Sequence, residues 1–135
     1  MRILVVEDEV KIRKGIASLI NRHTEHTVIG EAKNGVEGYE MALRHLPEVV
    51  ITDIRMPEMD GLQMMQKLQE KGGSWHFVIL SGYSEFEYAK QALRCGAEDY
   101  LLKPLAPEDV TGLLSSIQEK IEAESRKTRG MPEKK

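Results

Sequence analysis

Val49-Val50-Ile51-Thr52-Asp53-Ile54-Arg55-Met56-Pro57 is an apolar run rich in β-branched residues that ends on a carboxylate and then on a proline turn. Such a run reads as a strand of a parallel sheet, buried on both faces, with an acid at its C-terminal end. In an open α/β sheet that end opens onto the crevice where ligands bind. An ionised Asp53 there is placed for chemistry rather than for packing.

On the N-terminal side, Arg2 to Val6 is a first strand candidate, followed by a helical stripe of Ile12, Ile16, Leu19, Ile20 and His23. Thr27 to Ala32 alternates more in polarity, as an edge strand with one partly wet side would. Asn34 is the expected N-cap of a helix that carries Tyr39, Ala42, Leu43 and Leu46 inward and closes at Pro47. On the C-terminal side, the Met56–Gly61 loop leads to a helix from about Leu62 to Glu70 with Leu62, Met65 and Leu68 inward, ended by Gly72-Gly73. Phe77 to Leu80 forms a fourth strand with Ser81-Gly82 at its tip. Phe86, Ala89, Ala92 and Leu93 mark the next helix, stopped at Gly96. Asp99 to Leu102 is a fifth strand ending at Lys103-Pro104, and Val110, Leu113, Leu114, Ile117 and Ile121 give the cleanest helical stripe, despite Gly112 within it. Strands alternating with helices imply a parallel sheet, because each right-handed crossover lays its helix on one face.

The totals bound the reading. With 135 residues, 41% hydrophobic and 30% charged, the chain has the composition and length of one globular domain. No secretory signal and no membrane-spanning apolar stretch is expected. Cys95 stands alone, which excludes an intramolecular disulfide and suits a cytoplasmic location. The net charge is -3, but five basic residues against Glu133 make the last ten residues +4, leaving −7 on residues 1–125. An acidic body argues against direct nucleic-acid contact by this domain. The expected division is a domain over 1–122 and a basic linker or disordered tail over 123–135.

Parallel strands would gather Glu7, Asp8, Asp53, Ser81 and Lys103 at one edge of the sheet. Three carboxylates so close raise one another's pKa unless a cation sits among them. An all-oxygen, acid-rich setting suits Mg²⁺, which takes one or two carboxylates and leaves positions for phosphate oxygens.

Glu7-Asp8 after the first strand, Asp53 in Asp-Ile-Arg-Met-Pro-Glu-Met-Asp-Gly, Ser81, Tyr100 and Lys103-Pro104 recur in an order that closely resembles the receiver domain of two-component response regulators. The stretch from Ser81-Gly82-Tyr83-Ser84-Glu85-Phe86 to Lys103-Pro104 is similar to receivers whose output is an AraC-type helix-turn-helix transcription factor. The resemblance implies a flavodoxin-like (CheY-like) doubly wound sheet of five parallel strands in the order 2-1-3-4-5 with five helices, and a cis Lys103–Pro104 bond. It implies that Asp53 accepts a phosphoryl group from a sensor histidine kinase, with Mg²⁺ held by Glu7, Asp8, Asp53 and the main-chain carbonyl of Arg55. Lys103 would contact one phosphoryl oxygen and Ser81 another, and Tyr100 would turn inward when Ser81 moves. It further implies self-phosphorylation and autodephosphorylation rather than turnover, a C-terminal DNA-binding output domain absent from this chain, and a phosphorylation-dependent homodimer.

Two other readings share the architecture. A flavodoxin-like nucleotide binder needs Gly, Ser or Thr amides in its first loop, where this chain has Glu7-Asp8-Glu9. A phosphatase of the haloacid dehalogenase type resembles Asp-x-Asp at its nucleophile, and Arg55 stands where the second acid should be.

Overall fold

The computed structural model describes residues 1–130. Its elements run β1 (Arg2–Val6), α1 (Val10–His23), β2 (Thr27–Ala32), α2 (Gly35–His45), β3 (Val49–Asp53), α3 (Gly61–Glu70), β4 (His76–Ser81), α4 (Phe86–Arg94), β5 (Asp99–Leu102) and α5 (Pro107–Gly130), with a 3-10 turn at Tyr83–Glu85 before α4. All neighbouring strands pair in parallel, in the order β2-β1-β3-β4-β5. This is the doubly wound, flavodoxin-like arrangement, with β2 at an edge as its mixed polarity suggests.

The period-two geometry of strands sorts the core into two layers. Leu4, Val6, Val50, Phe77 and Ile79 point to one face, where Ala42 of α2, Met64, Met65 and Leu68 of α3, and Ala89 and Ala92 of α4 cover them. Ile3, Val5, Val49, Ile51, Val78 and Leu80 point to the other, under Ile16 and Ile20 of α1 and Val110, Leu114 and Ile117 of α5. Every residue of β3 is buried. Each of its large apolar side chains contributes about 1.5–3 kcal/mol by leaving water, which fixes the strand that delivers Asp53.

Two local expectations need correction. In α2, Leu43 is 37% and Leu46 63% exposed. The helix instead buries Gly35, Gly38 and Ala42. A Cβ on Gly38 would lie 2.8 Å from Met64 Sδ, so the small residues let the helix ride close to its neighbours and carry its leucines off the contact. Asn34 does cap it, accepting from the Glu37 amide at 2.8 Å, while Leu46 closes it in a left-handed conformation at φ 50. In α4, Phe86 is exposed, and the helix packs through Ala89 and Ala92 for the same reason of close approach. Past the expected domain boundary at residue 122, residues 123–130 continue α5. Val110, Leu114 and Ile117 hold the first turns, so each further residue needs only propagation, and Ala123, Glu124 and Arg126 are good helix formers. Residues 131–135 lie outside the described residues.

Polar contacts also seat α5. Glu98, just before β5, accepts from Lys120 Nζ at 2.7 Å and pairs with His76 Nδ1 at 2.7 Å. Burial opposes the charged form of Glu98, but Lys120 and His76 outweigh it and hold the carboxyl below the usual range. A depressed carboxyl pKa stabilises the fold above the unfolded value, and that stability is lost as pH falls through the folded one. Glu98→Gln should therefore cost about 1 kcal/mol at pH 7 in a urea titration, and less near pH 3.

Candidate functional site

The C-terminal ends of β1, β3 and β4 and the residue just past β5 place Glu7, Asp8, Asp53, Ser81 and Lys103 at one edge of the sheet. Glu7, Asp53 and Ser81 are buried, whereas Asp8 is exposed. One carboxylate oxygen from each of Glu7, Asp8 and Asp53 lies within 4.8 Å of the others. Lys103 Nζ stands 3.1 Å from Glu7 Oε1 and 3.2 Å from Asp53 Oδ2, bridging two acids that would otherwise repel. The Lys103–Pro104 bond is cis.

The backbone around each acid is tied down. Asp53 Oδ1 accepts from the Ile54 amide at 2.8 Å, which leaves Oδ2 turned to Lys103. Glu7 Oε2 accepts from the Glu9 amide at 3.1 Å. Glu7 Oε1 is the exception: it is buried and close to Lys103, yet no donor is aligned on it. A buried carboxylate oxygen with spare lone pairs, beside two further acids, is the donor set a hard divalent cation needs.

Electrostatics follow from this crowding. Burial, with repulsion from Asp53, pushes the Glu7 carboxyl up to about 7 against the opposing pull of the Glu9 amide and Lys103. Burial likewise raises Asp53, and Lys103 limits the rise. Lys103 is itself partly buried, which disfavours its charge, but Asp53 and Glu7 outweigh that and raise its pKa.

Ser81 Oγ donates to the Gly82 carbonyl at 3.1 Å rather than reaching toward Asp53. Tyr100 is half-buried and borders a cavity of ≈ 320 Å³ with Ser81, Gly82, Tyr83, Phe86 and Leu102. Arg55 sends its side chain outward, with Cζ 5.6 Å from the centroid of the Tyr88 ring, and Tyr83 is almost fully exposed.

Several contributors escape a reading of the chain alone. Thr52 is fully buried and donates from Oγ1 to the Asp53 carbonyl at 2.9 Å; a lone hydroxyl in the apolar run was the available signal. Gly61 sits against the same carbonyl, where a Cβ would come within 2.2 Å of Asp53 O, and its amide donates to Ile54 O at 2.7 Å. Gly61→Ala must therefore displace backbone at Asp53. The expected cost is about 3 kcal/mol by urea denaturation, with weaker divalent-cation binding.

A family model described as the response regulator receiver domain matches residues 3–115. The uncharacterized transcriptional regulatory protein YesN of Bacillus subtilis is 41% identical over 117 residues, covering 86% of this chain and 32% of that protein. The nitrate/nitrite response regulator protein NarL of Escherichia coli K12 is 40% identical over 108 residues, covering 80% of this chain and 50% of that protein. Among solved structures, the REC domain of AraT, a response regulator from Geobacillus stearothermophilus, superposes with a TM-score of 0.83 at 39% identity, covering 92% of this chain and 97% of that one. The chain thus spans 32% and 50% of the length of these two curated relatives. Among the described residues no helix is long and apolar enough to cross a membrane.

Proposed function

Because the chain belongs to the response regulator receiver domain family, we propose that Asp53 is its phosphoryl acceptor. The observation that carries this is the bridging of Asp53 and Glu7 by Lys103, beside a third acid, at the crevice edge of a parallel sheet. An Asp53 oxygen would form the bond to phosphorus as the donor's bond to phosphorus breaks, with the leaving group a kinase histidine or the carboxylate of a small acyl phosphate. Two anions meet in that step, so charge neutralisation and positioning carry the rate. Lys103 supplies one fixed positive charge within reach of Asp53 Oδ2. Glu7, Asp8, Asp53 and the main-chain carbonyl of Arg55 would hold Mg²⁺, which would supply further positive charge to neutralise the phosphoryl group. Glu7 Oε1, which has Lys103 close by but no aligned hydrogen-bond donor, supports that assignment.

After transfer, the Ser81 hydroxyl would leave the Gly82 carbonyl for a phosphoryl oxygen, and Tyr100 would turn into the cavity it borders. The protein then acts as a switch and not a turnover enzyme: phosphorylation and autodephosphorylation at Asp53 are its chemistry. Its proposed location is the cytoplasm, and its proposed partners are a sensor histidine kinase and a C-terminal DNA-binding output domain of the AraC type, joined beyond a receiver unit of 1–122. A homodimer formed on phosphorylation through α4, β5 and α5 completes the reading. Pairing of Lys90 or Arg94 with Glu108 or Asp109 across that dimer fits better than pairing with Glu98, which His76 and Lys120 already occupy.

The test is incubation with acetyl phosphate. The intact mass should rise by one phosphoryl group with Mg²⁺ and stay unchanged with EDTA; equal uptake under both conditions would reject the Mg²⁺ assignment.

A further inference from the structure

The two metal-side acids differ in how they are held. Glu7 is buried and fixed through Oε2, but Asp8 is exposed and its carboxylate accepts no hydrogen bond among the described residues. The direction of the Asp8 side chain therefore depends on the peptide plane that joins it to Glu7. One side chain grips that plane. Arg13, on the first turn of α1, donates from Nη1 to the Glu7 carbonyl at 2.8 Å. The same guanidinium donates from Nε to Glu31 Oε1 of β2 at 3.3 Å, where Lys14 also pairs at 3.1 Å. The Arg13 side chain is only 13% exposed. On the opposite flank, the Glu7 amide donates to Ala32 O at 2.9 Å, so the loop is held between β2 and α1.

From this geometry we infer that Arg13 is a positioning residue for divalent-cation binding, acting through the Glu7–Asp8 peptide; the inference rests on the proposed Mg²⁺ site. A planar fork can hold a carbonyl and a carboxylate at once. Its anchor in Glu31 fixes where the fork points, and the fork fixes the carbonyl. Without it the peptide can rotate, and Asp8 must be reordered each time a cation binds. Groups that orient metal ligands typically change affinity by about 10–100-fold when removed. A purely electrostatic role has the opposite sign, because removing a cation near three carboxylates should tighten Mg²⁺ binding.

Titration calorimetry with Mg²⁺ on the wild type, Arg13→Gln and Arg13→Lys, each also followed by thermal unfolding in EDTA, decides the matter. The expected result is about tenfold weaker binding by Arg13→Gln. Arg13→Lys, which keeps the charge and loses the fork, should also bind more weakly while melting close to the wild type. The lysine variant carries the test should the glutamine variant fail to fold. Binding by both folded variants within twofold of the wild type, or tighter, would overturn the inference while leaving the Mg²⁺ site standing. A wild type that binds no Mg²⁺ would overturn both together.

Discussion

Lys103→Ala is expected to lower phosphoryl uptake from acetyl phosphate by about 10²–10³-fold, because it removes a fixed positive charge facing Asp53 Oδ2. Its effect on stability should depend on pH in a diagnostic way. The variant leaves Glu7 and Asp53 buried together with no ammonium between them, and stranding a buried charge by deleting its partner costs about 3 kcal/mol or more. Glu7 can avoid that cost by staying protonated. Its folded pKa is pushed up to about 7 even with Lys103 present, against 4.5 unfolded. Between those values the native state holds a proton that the unfolded chain has released, so metal-free stability falls as pH rises from 4.5 to about 7. Removing Lys103 steepens that fall. Urea titrations in EDTA should show a loss of about 3 kcal/mol at pH 8 and about 1 kcal/mol at pH 5. Equal losses at both pH values would mean that the Lys103 contacts add nothing electrostatic.

The second large effect is on Mg²⁺ itself. A cation that uses Glu7 must displace the proton that burial and Asp53 keep on it near neutrality. Apparent affinity should therefore climb by up to about tenfold per unit from pH 5.5 toward 7 and level off above, with a proton released on binding. Calorimetry in buffers of different ionisation enthalpy counts that proton. Glu7→Gln should bind Mg²⁺ more weakly and flatten this part of the profile. An affinity already flat across this range in the wild type would take Glu7 out of the ligand set.

Much of this was readable from the chain, for identifiable reasons. Val49 to Asp53 announces its place because only a strand covered on both faces needs five consecutive buried residues, and parallel pairing then brings every strand tip to one edge. The strand pattern alone therefore brings Asp53, Glu7, Asp8 and Lys103 together. What escaped was set by close packing and by hydrogen bonds between distant residues. Leucine counts predict an inward Leu43 and Leu46, yet Gly38 against Val6 and Met64 decides which stripe of α2 makes contact. The burial of Glu7 beside an exposed Asp8 depends on the path of one loop between β2 and α1. Arg13 looks like a solvent-facing helix residue until its two acceptors are seen on different elements. The helical run through residues 123–130 is not visible in composition, because composition scores a segment alone and α5 supplies it with a ready nucleus.

Borohydride trapping reads out whether phosphorus bonds to Asp53. After acetyl phosphate and Mg²⁺, reduction converts an aspartyl phosphate to homoserine, which peptide mass mapping locates. Homoserine is expected at position 53 alone, with no phosphoryl uptake by Asp53→Asn. Reduction at Asp8 or any other acid, or undiminished uptake by Asp53→Asn, would contradict it.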